Sequence, residues 1–419
     1  MTLVAFGAIL LLLLGMVLDV PVVVILAIVV LVIETVGQLW ARFGLRDLAY
    51  HRTLARDRTG WGDEIDTTIE VWNRKPLPLA WLRADERASP GVVVRERDLT
   101  IGRSGGAVLR NVWSLAPFER VSRRYHVGAD RRGVFELGPV DLAVGDLFAR
   151  EAAQEAREDV ARFLVRPRSV PAPPIHRRDR PGGTDRARFG LTEDPSRFAG
   201  IRDYAPGDPI RHVHPRASAR LGRPVVKRFE PSRDRDVLIL LDVEIASPAR
   251  PVAGVASPAA AIDEPEDDAG EALFVVAASL ARTLARERAA FGLAAASYHG
   301  AESRFAHLAV SEAPGQAERV FDLLARLSPE PSAPFDRLIG RILRTVRPGT
   351  TIVVLTARDP STYLGHLLRL ERAGCPVVVV ACGPMAVVHA GRARAAGFSA
   401  RAARLDGPWR TATGLVTAG

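Results

Sequence analysis

The rhythm of hydrophobic and polar positions takes three forms along the chain, and each form marks a different kind of element. Leu3 to Ile33 is almost unbroken apolar sequence, interrupted by Gly7, Gly15, Asp19 and Pro21. As one straight helix this run would extend about 46 Å, well beyond a hydrocarbon core of about 30 Å. Asp19-Val20-Pro21 falls near its midpoint, and an aspartate at the bilayer centre costs a few kcal/mol that a turn at the interface avoids. The pattern therefore predicts a transmembrane helical hairpin over 1–40, in preference to one bent span. A cleaved signal peptide fits poorly, because it needs a basic start and an apolar core of about 7–15 residues. No Lys or Arg precedes Arg42. Trp40, Arg42 and Arg46 form an aromatic and basic rim, and the positive-inside bias then places the following chain in the cytoplasm, with the protein in the cell membrane.

From residue 47 the runs become short and alternating. Ile65 to Trp72, Trp81 to Ala84, Val92 to Val94, Ala107 to Val112, Ser122 to Val127 and Gly133 to Leu137 read as strands separated by Gly, Pro and Asn. Spacing of this kind predicts a small antiparallel β-sandwich over 47–165. Trp61, Trp72, Trp81 and Trp113 are assigned to its core rather than to ligand stacking. A basic, Pro- and Gly-rich linker follows over 166–195, in which His176, Arg177, Arg178 and Arg180 either meet anionic headgroups or remain solvated.

The third rhythm begins at Asp236. Asp236 to Leu241 is a continuous apolar run after its first residue and ends on Asp242, as a buried central strand of a parallel sheet would. Helices predicted at Glu271 to Ala289, Gln316 to Leu327, Asp336 to Thr345 and Thr362 to Ala373 alternate with strands at Gly292 to Tyr298, Phe305 to Val310, Thr351 to Thr356 and Pro376 to Ala381. This is the signature of a doubly wound α/β sheet over 231–390. An Ala/Pro-rich insertion at 247–270, ending in the acidic run Asp263 to Asp268, is expected to be disordered. The tail 391–419 carries no signal of its own.

Composition narrows the picture only a little. The chain has 419 residues, a formal charge of +9 and 47% hydrophobic content, enough for more than one folded core. The positive charge is nearly all arginine, with lysine only at Lys75 and Lys227, a bias that a GC-rich genome accounts for. Nucleic acid is not expected as a partner, because the basic stretches lack interleaved aromatics. Cys375 and Cys382 stand at the two ends of one apolar run, about 23 Å apart if that run is a strand, so no disulfide joins them.

Between the sandwich and the α/β region lies an elbow at 196–230. It holds seven arginines and one lysine against three carboxylates, broken by Ala205-Pro206-Gly207-Asp208-Pro209, where a turn is almost forced. Arg202 and Arg211 flank Asp203 and Asp208, an arrangement suited to charge-assisted pairs that brace a loop or recognise an acidic surface. Tyr204 and Gly207 belong to the same string, and Arg220 follows Ser218 at helical spacing. His212 and His214 lie two apart, a spacing metals use, with no third ligand in view.

The string Phe198-Ala199-Gly200-Ile201-Arg202-Asp203-Tyr204, then Pro206-Gly207-Asp208-Pro209 and Arg211, with Ala217-Ser218-Ala219-Arg220 and Val226-Lys227-Arg228-Phe229-Glu230, resembles the bacterial family called domain of unknown function 58. The order of parts from residue 1 to about 385 is similar to that family too. One departure is His214-Pro215, where the family usually carries a tryptophan. The resemblance implies a von Willebrand factor A-like C-terminal domain. Such domains often bind Mg²⁺ through Asp-x-Ser-x-Ser after the first strand, a threonine and a later aspartate. Here the first element reads Asp242-Val243-Glu244-Ile245-Ala246, without the serines, and Ala357 stands where the later carboxylate is expected. Asp242, Glu244 and Thr356 are thus a degenerate remnant, and Asp359 is the remaining candidate for a third oxygen ligand. No cofactor is expected.

The function these features predict is a membrane-anchored scaffold or adaptor that binds protein on the cytoplasmic face and is not an enzyme. There is no phosphate-cradling loop, no Ser/His/Asp assembly and no paired acid/base carboxylates. The resemblance implies a MoxR-type AAA+ ATPase as partner, with a transglutaminase-like membrane protein as a further candidate. The alternatives are an outward-facing Mg²⁺-dependent adhesion module and a metal-assisted hydrolase using Asp242 and Glu244.

Overall fold

The computed structural model describes residues 3–102, 106–145, 151–173, 193–205, 213–231, 236–244, 266–297 and 304–418. The chain divides into two compact units, 1–166 and 167–419.

The first unit starts with α1 (Leu3–Val17) and α2 (Pro21–Phe43). Pro21 opens α2 at a position where its missing N–H leaves no bond unmade, and Asp19 takes a left-handed backbone at φ 54° in the turn before it. The two helices pack side by side: a Cβ on Gly15 would stand 3.0 Å from Val23 Cγ1. They differ in reach. The 15 residues of α1 span about 22 Å and the 23 of α2 about 35 Å, so by length α2 matches a bilayer core and α1 falls short. α2 also leaves Val22, Ile25, Leu26 and Val32 exposed, as a lipid-facing helix does. Its last turn is tied to the rest of the unit, where buried Trp40 donates from Nε1 to Pro78 O at 3.1 Å.

Among the described residues eleven strands follow: β1 (Leu48–Leu54), β2 (Arg58–Gly60), β3 (Ile65–Asn73), β4 (Leu79–Ala88), β5 (Val92–Val94), β6 (Thr100–Ile101), β7 (Ala107–Leu115), β8 (Arg120–Ala129), β9 (Gly133–Gly145), β10 (Glu151–Arg157) and β11 (Ala161–Arg166). One sheet runs β1-β3-β8-β5; the other runs β2-β11-β9-β4-β7-β6, with β10 also on β9. Alternation drives the layering, and β3 buries Ile65, Thr67, Ile69 and Val71 while its other face stays more open. Both sheets contribute to one core of Ile69, Leu82, Leu109, Leu137, Leu142 and Phe163. The pairing is antiparallel except that β11 and β2 run parallel. Of the tryptophans assigned to the core, Trp113 is buried and Trp72 is 38% exposed, with Arg74 stacked on its ring.

The second unit opens with residues that sequence placed in a linker. Instead of remaining solvated, 168–172 lie against the α/β core: Val170 N donates to Ser279 Oγ at 2.9 Å, and Pro171 O accepts from Leu415 N at 3.0 Å. The basic cluster at 176–180 is outside the described residues. β12 (Glu193–Asp203) and β13 (Val225–Pro231) then form a two-stranded antiparallel ribbon, with α3 (Pro215–Leu221) between them.

The remaining sheet is built from β14 (Val237–Asp242), β15 (Phe291–Ala295), β16 (Ala306–Ser311), β17 (Thr351–Thr356), β18 (Val377–Cys382), β19 (Ser399–Leu405) and β20 (Leu415–Ala418), in the order β16-β15-β14-β17-β18-β19-β20. The five inner strands are parallel and the two edge strands antiparallel. β14 and β18 are buried at every residue, which requires cover on both faces. One cover comes from α6 (Phe335–Ile342), α7 (Leu364–Arg372) and α8 (Ala386–Ala395), whose Leu338, Leu367 and Ala390 join Leu238, Leu240, Val354 and Val379 in one core. The other comes from α4 (Glu266–Arg286) with α5 (Gln316–Arg326) beside it.

Two boundaries move. α4 begins at Glu266, so the last residues of the supposed 247–270 insertion are helical, while 245–265 lie outside the described residues. The signal-less tail is structural. β19 and β20 extend the sheet, because Ala400, Ala402 and Ala403 are small and apolar enough to be buried between layers while the intervening arginines keep the stretch polar on average. Both cysteines are free and buried.

Candidate functional site

The strand order reverses between β14 and β17, since the chain leaves β14 towards β15 on one side and returns to β17 on the other. At such a switch point the loops beyond the strand ends diverge and leave a crevice. Asp242 and Thr356 are register partners at the last position of these two strands. Parallel pairing thus sets a carboxylate and a hydroxyl side by side at the sheet edge.

Arg358 completes the group. Its Nε donates to Asp242 Oδ2 at 3.0 Å, and its Nη1 lies 3.2 Å from Glu244 Oε1. Thr356 Oγ1 accepts from Arg358 N at 3.0 Å, which directs its own hydrogen to Asp242 Oδ2 at 2.9 Å. Glu244 N donates to Asp242 Oδ1 at 3.2 Å, and Glu244 Oε2 accepts from Phe335 N, the first amide of α6, at 3.2 Å. The guanidinium also stands 5.4 Å over the Tyr363 ring, which meets Phe335 edge-on at 5.1 Å. Asp242 is fully buried and the Arg358 side chain is 17% exposed. Burial pushes the Asp242 carboxyl up to about 6, against the opposing pull of Arg358 and Thr356.

The fold type the sequence suggests implies a divalent cation at this position, and the donor set does not suit one. A hard cation needs several oxygens free to turn inward. Both carboxylates are already engaged by a permanently charged guanidinium. Asp359, the candidate third oxygen ligand, turns elsewhere: it caps the short turn at Pro360–Thr362 through Ser361 N at 3.0 Å and pairs with Arg392. Partial burial would raise its carboxyl, but the Ser361 bonds and Arg392 outweigh that and hold it low. Among the described residues no group of three or more His, Cys, Asp or Glu side chains is placed to hold a metal.

The elbow residues are only partly brought together. Gly207, Asp208, Arg211 and His212 lie outside the described residues. Asp203 pairs with Arg223 at 2.9 Å, both side chains 61% exposed, rather than with Arg202. Arg202 reaches back to Asp203 O at 3.2 Å, because neighbours on a strand point to opposite faces. Tyr204 is half-exposed and its N donates to Pro224 O. Ser218 Oγ accepts from Val225 N at 3.0 Å and donates to Val225 O at 3.3 Å, fastening α3 to β13. Arg220 is exposed in the last turn of α3. His214 accepts from Ala217 N and so caps α3, with Pro215 in the first turn. That cap occupies Nδ1 of His214, and the expected pairing with His212 lies outside the described residues.

Arg358 and Tyr363 belong to no motif, so the sequence alone does not mark them as site residues. An apolar-to-aromatic position soon after the β17 carboxyl end was the signal available for Tyr363.

The fold and site therefore define an α/β unit whose switch point is closed by an Arg–carboxylate cluster. Residues 200–302 of this unit match the family described as "Protein of unknown function DUF58". The match includes the elbow motif from Gly200 onward, in line with the resemblance that motif carries, although it is shorter than the stretch to residue 385 suggested by the order of parts. The chain is also 24% identical over 209 residues to "Uncharacterized protein YeaD" of Bacillus subtilis (strain 168), covering 49% of this chain and 50% of that protein. It thus spans about half the length of this relative. Among solved structures, similarities include the CARDB domain of a Pyrococcus furiosus protein (12% identity, TM-score 0.20, 28% of this chain and 87% of that one). A second is the collagen-binding domain of a Staphylococcus aureus adhesin (8% identity, TM-score 0.16, 28% and 95%).

Proposed function

We propose that this protein is a membrane-anchored adaptor whose doubly wound, von Willebrand factor A-like unit binds a protein partner without a metal, on the cytoplasmic face. The observation that carries this reading is the Arg358 guanidinium bonded to both Asp242 and Glu244. A tethered cation at the switch point supplies the positive charge that either metal-dependent alternative, outward-facing adhesion or hydrolysis, would draw from an ion. Met385, Val387 and Val388 add exposed apolar surface just after β18 at the same sheet edge. Solvated apolar side chains of this kind are surface a protein partner would cover. The arginine rim at Arg42 and Arg46 favours the cytoplasmic side, with α1 and α2 as a two-helix anchor. The DUF58 resemblance favours a MoxR-type AAA+ ATPase as the partner.

Two measurements test this. Mg²⁺ titrated into the full chain in nonionic detergent should give no saturable heat, and a saturable isotherm would return the metal-dependent readings. Protease added outside spheroplasts should spare the α/β unit, and its digestion would overturn the orientation.

A further inference from the structure

We propose a second binding surface, distinct in chemistry from the switch point: an arginine-rimmed groove on α6 that takes an acidic, extended peptide segment of a protein partner. α6 is sharply two-sided. Phe335, Leu338, Ile339 and Ile342 are buried in the sheet core, while Arg337, Arg341 and Arg344 follow one another at i, i+4 and i+7 on the solvent side of the helix and the turn after it. With Phe305 and Gly340 these three line a groove of about 280 Å³. A Cβ on Gly340 would meet nothing within 4 Å, so the floor is open. The Arg341 guanidinium stands 5.6 Å over the Phe305 ring, which holds the rim in place and gives the groove an apolar wall.

Among the described residues none of the three arginines has a carboxylate partner, although ion pairs are abundant elsewhere in the chain. Their positive field reaches the neighbouring strand. The His307 imidazole is held below its usual range, first by burial and then by Arg341. Three uncompensated guanidiniums in line are a surface that gains from an anion.

The geometry selects the kind of anion. Helical rise sets the arginines over about 10 Å along the axis, in steps of about 6 and 4.5 Å. Side chains on one face of an extended chain recur about every 6.8 Å, so acidic residues at alternate positions meet successive arginines. A compact phosphate would engage one end of this row. A flat lipid surface would not enter a concave floor walled by Phe305. The inference stands whether or not an ATPase is the partner at the sheet edge.

The experiment uses the full chain in nonionic detergent and a short fluorescent peptide of alternating glutamate and alanine. Anisotropy should saturate, and binding should weaken as NaCl rises. The double variant Arg341→Glu with Arg344→Glu should melt like the parent and bind about tenfold more weakly or worse, whereas Arg319→Glu on α5 should bind as the parent does. Equal affinity in the double variant, or no peptide binding at all, overturns the proposal. So does binding to phosphatidylglycerol vesicles but not to peptide. Peptide binding that appears only after Asp263, Glu264, Glu266, Asp267 and Asp268 are neutralised would assign the groove to the chain's own acidic run and overturn the partner claim.

Discussion

Arg358 Nε lies 3.0 Å from Asp242 Oδ2, and these two residues, 116 positions apart in sequence, form the charged centre of the α/β unit. The carboxylate is fully buried, so its charge is tolerable only while the guanidinium is beside it. Removing one partner of a buried pair typically costs about 3–5 kcal/mol, because the other is left uncompensated. Arg358→Ala should therefore lower the stability of this unit by an amount near that range. Arg358→Lys should recover part of it, since an ammonium keeps the charge but loses the two-pronged contact with Asp242 and Glu244. Denaturant unfolding of the purified variants checks this order, and equal midpoints for parent and Arg358→Ala would refute it.

Asp242 also predicts a pH slope. Burial raises its folded value to about 6 from the ordinary 3.8 of an aspartate. The folded state then holds a proton that the unfolded state releases, so this group's contribution is fully present below about 4 and is lost as pH rises through about 6. About two pKa units correspond to about 3 kcal/mol at most. Asp242→Asn should remove this slope, so that the stability difference between variant and parent changes between pH 4 and 7.5. A constant difference across that window would show that Asp242 does not titrate there.

The β-sandwich holds a second buried pair. Arg52 Nη1 meets Glu86 Oε1 at 2.7 Å with both side chains fully enclosed, and burial raises the Glu86 carboxyl. Arg52→Met alone should cost about 3–5 kcal/mol, whereas Arg52→Met with Glu86→Leu should recover most of that loss, because no buried charge remains. A double variant as unstable as the single one would mean that Arg52 acts through Asp159, whose O lies at 2.8 Å and Oδ1 at 3.2 Å.

The elbow offers a contrast between exposed and enclosed contacts. Asp203 and Arg223 form an exposed pair, of the kind worth about 0–1 kcal/mol, so Asp203→Ala should hardly move the melting midpoint. Ser218→Ala removes two bonds to Val225, whose side chain is buried, and should cost about 1–2 kcal/mol. Thermal unfolding of the two variants side by side decides it; a larger loss for Asp203→Ala would reverse the assignment.

How much of this was legible in sequence depended on whether the signal was local. The Asp19-Val20-Pro21 break predicts the turn between α1 and α2 because proline and a positive φ act on their own neighbourhood. The unbroken run of β14 predicts a buried parallel strand, and the helices after it follow from their period. The tail failed for the same reason in reverse: alternating Ala and Arg in β19 averages to a polar stretch, and only the neighbouring strand shows that the alanines are buried. The linker failed likewise, since residues 168–172 are fixed by Ser279 and Leu415 far along the chain.

The sequence by itself determined the order of elements, the apolar N-terminal run, the elbow motif and the absence of serines just after Asp242, because each is set by residues close together in the chain. Only the tertiary structure decided which side chain meets Asp242 at the strand end. Parallel register aligns Asp242 with Thr356, and that alignment carries Arg358 across to both carboxylates while Asp359, one residue further on, turns to Arg392. Which of two adjacent side chains enters the site depends on the direction each leaves the strand end, and no spacing in the sequence specifies that direction.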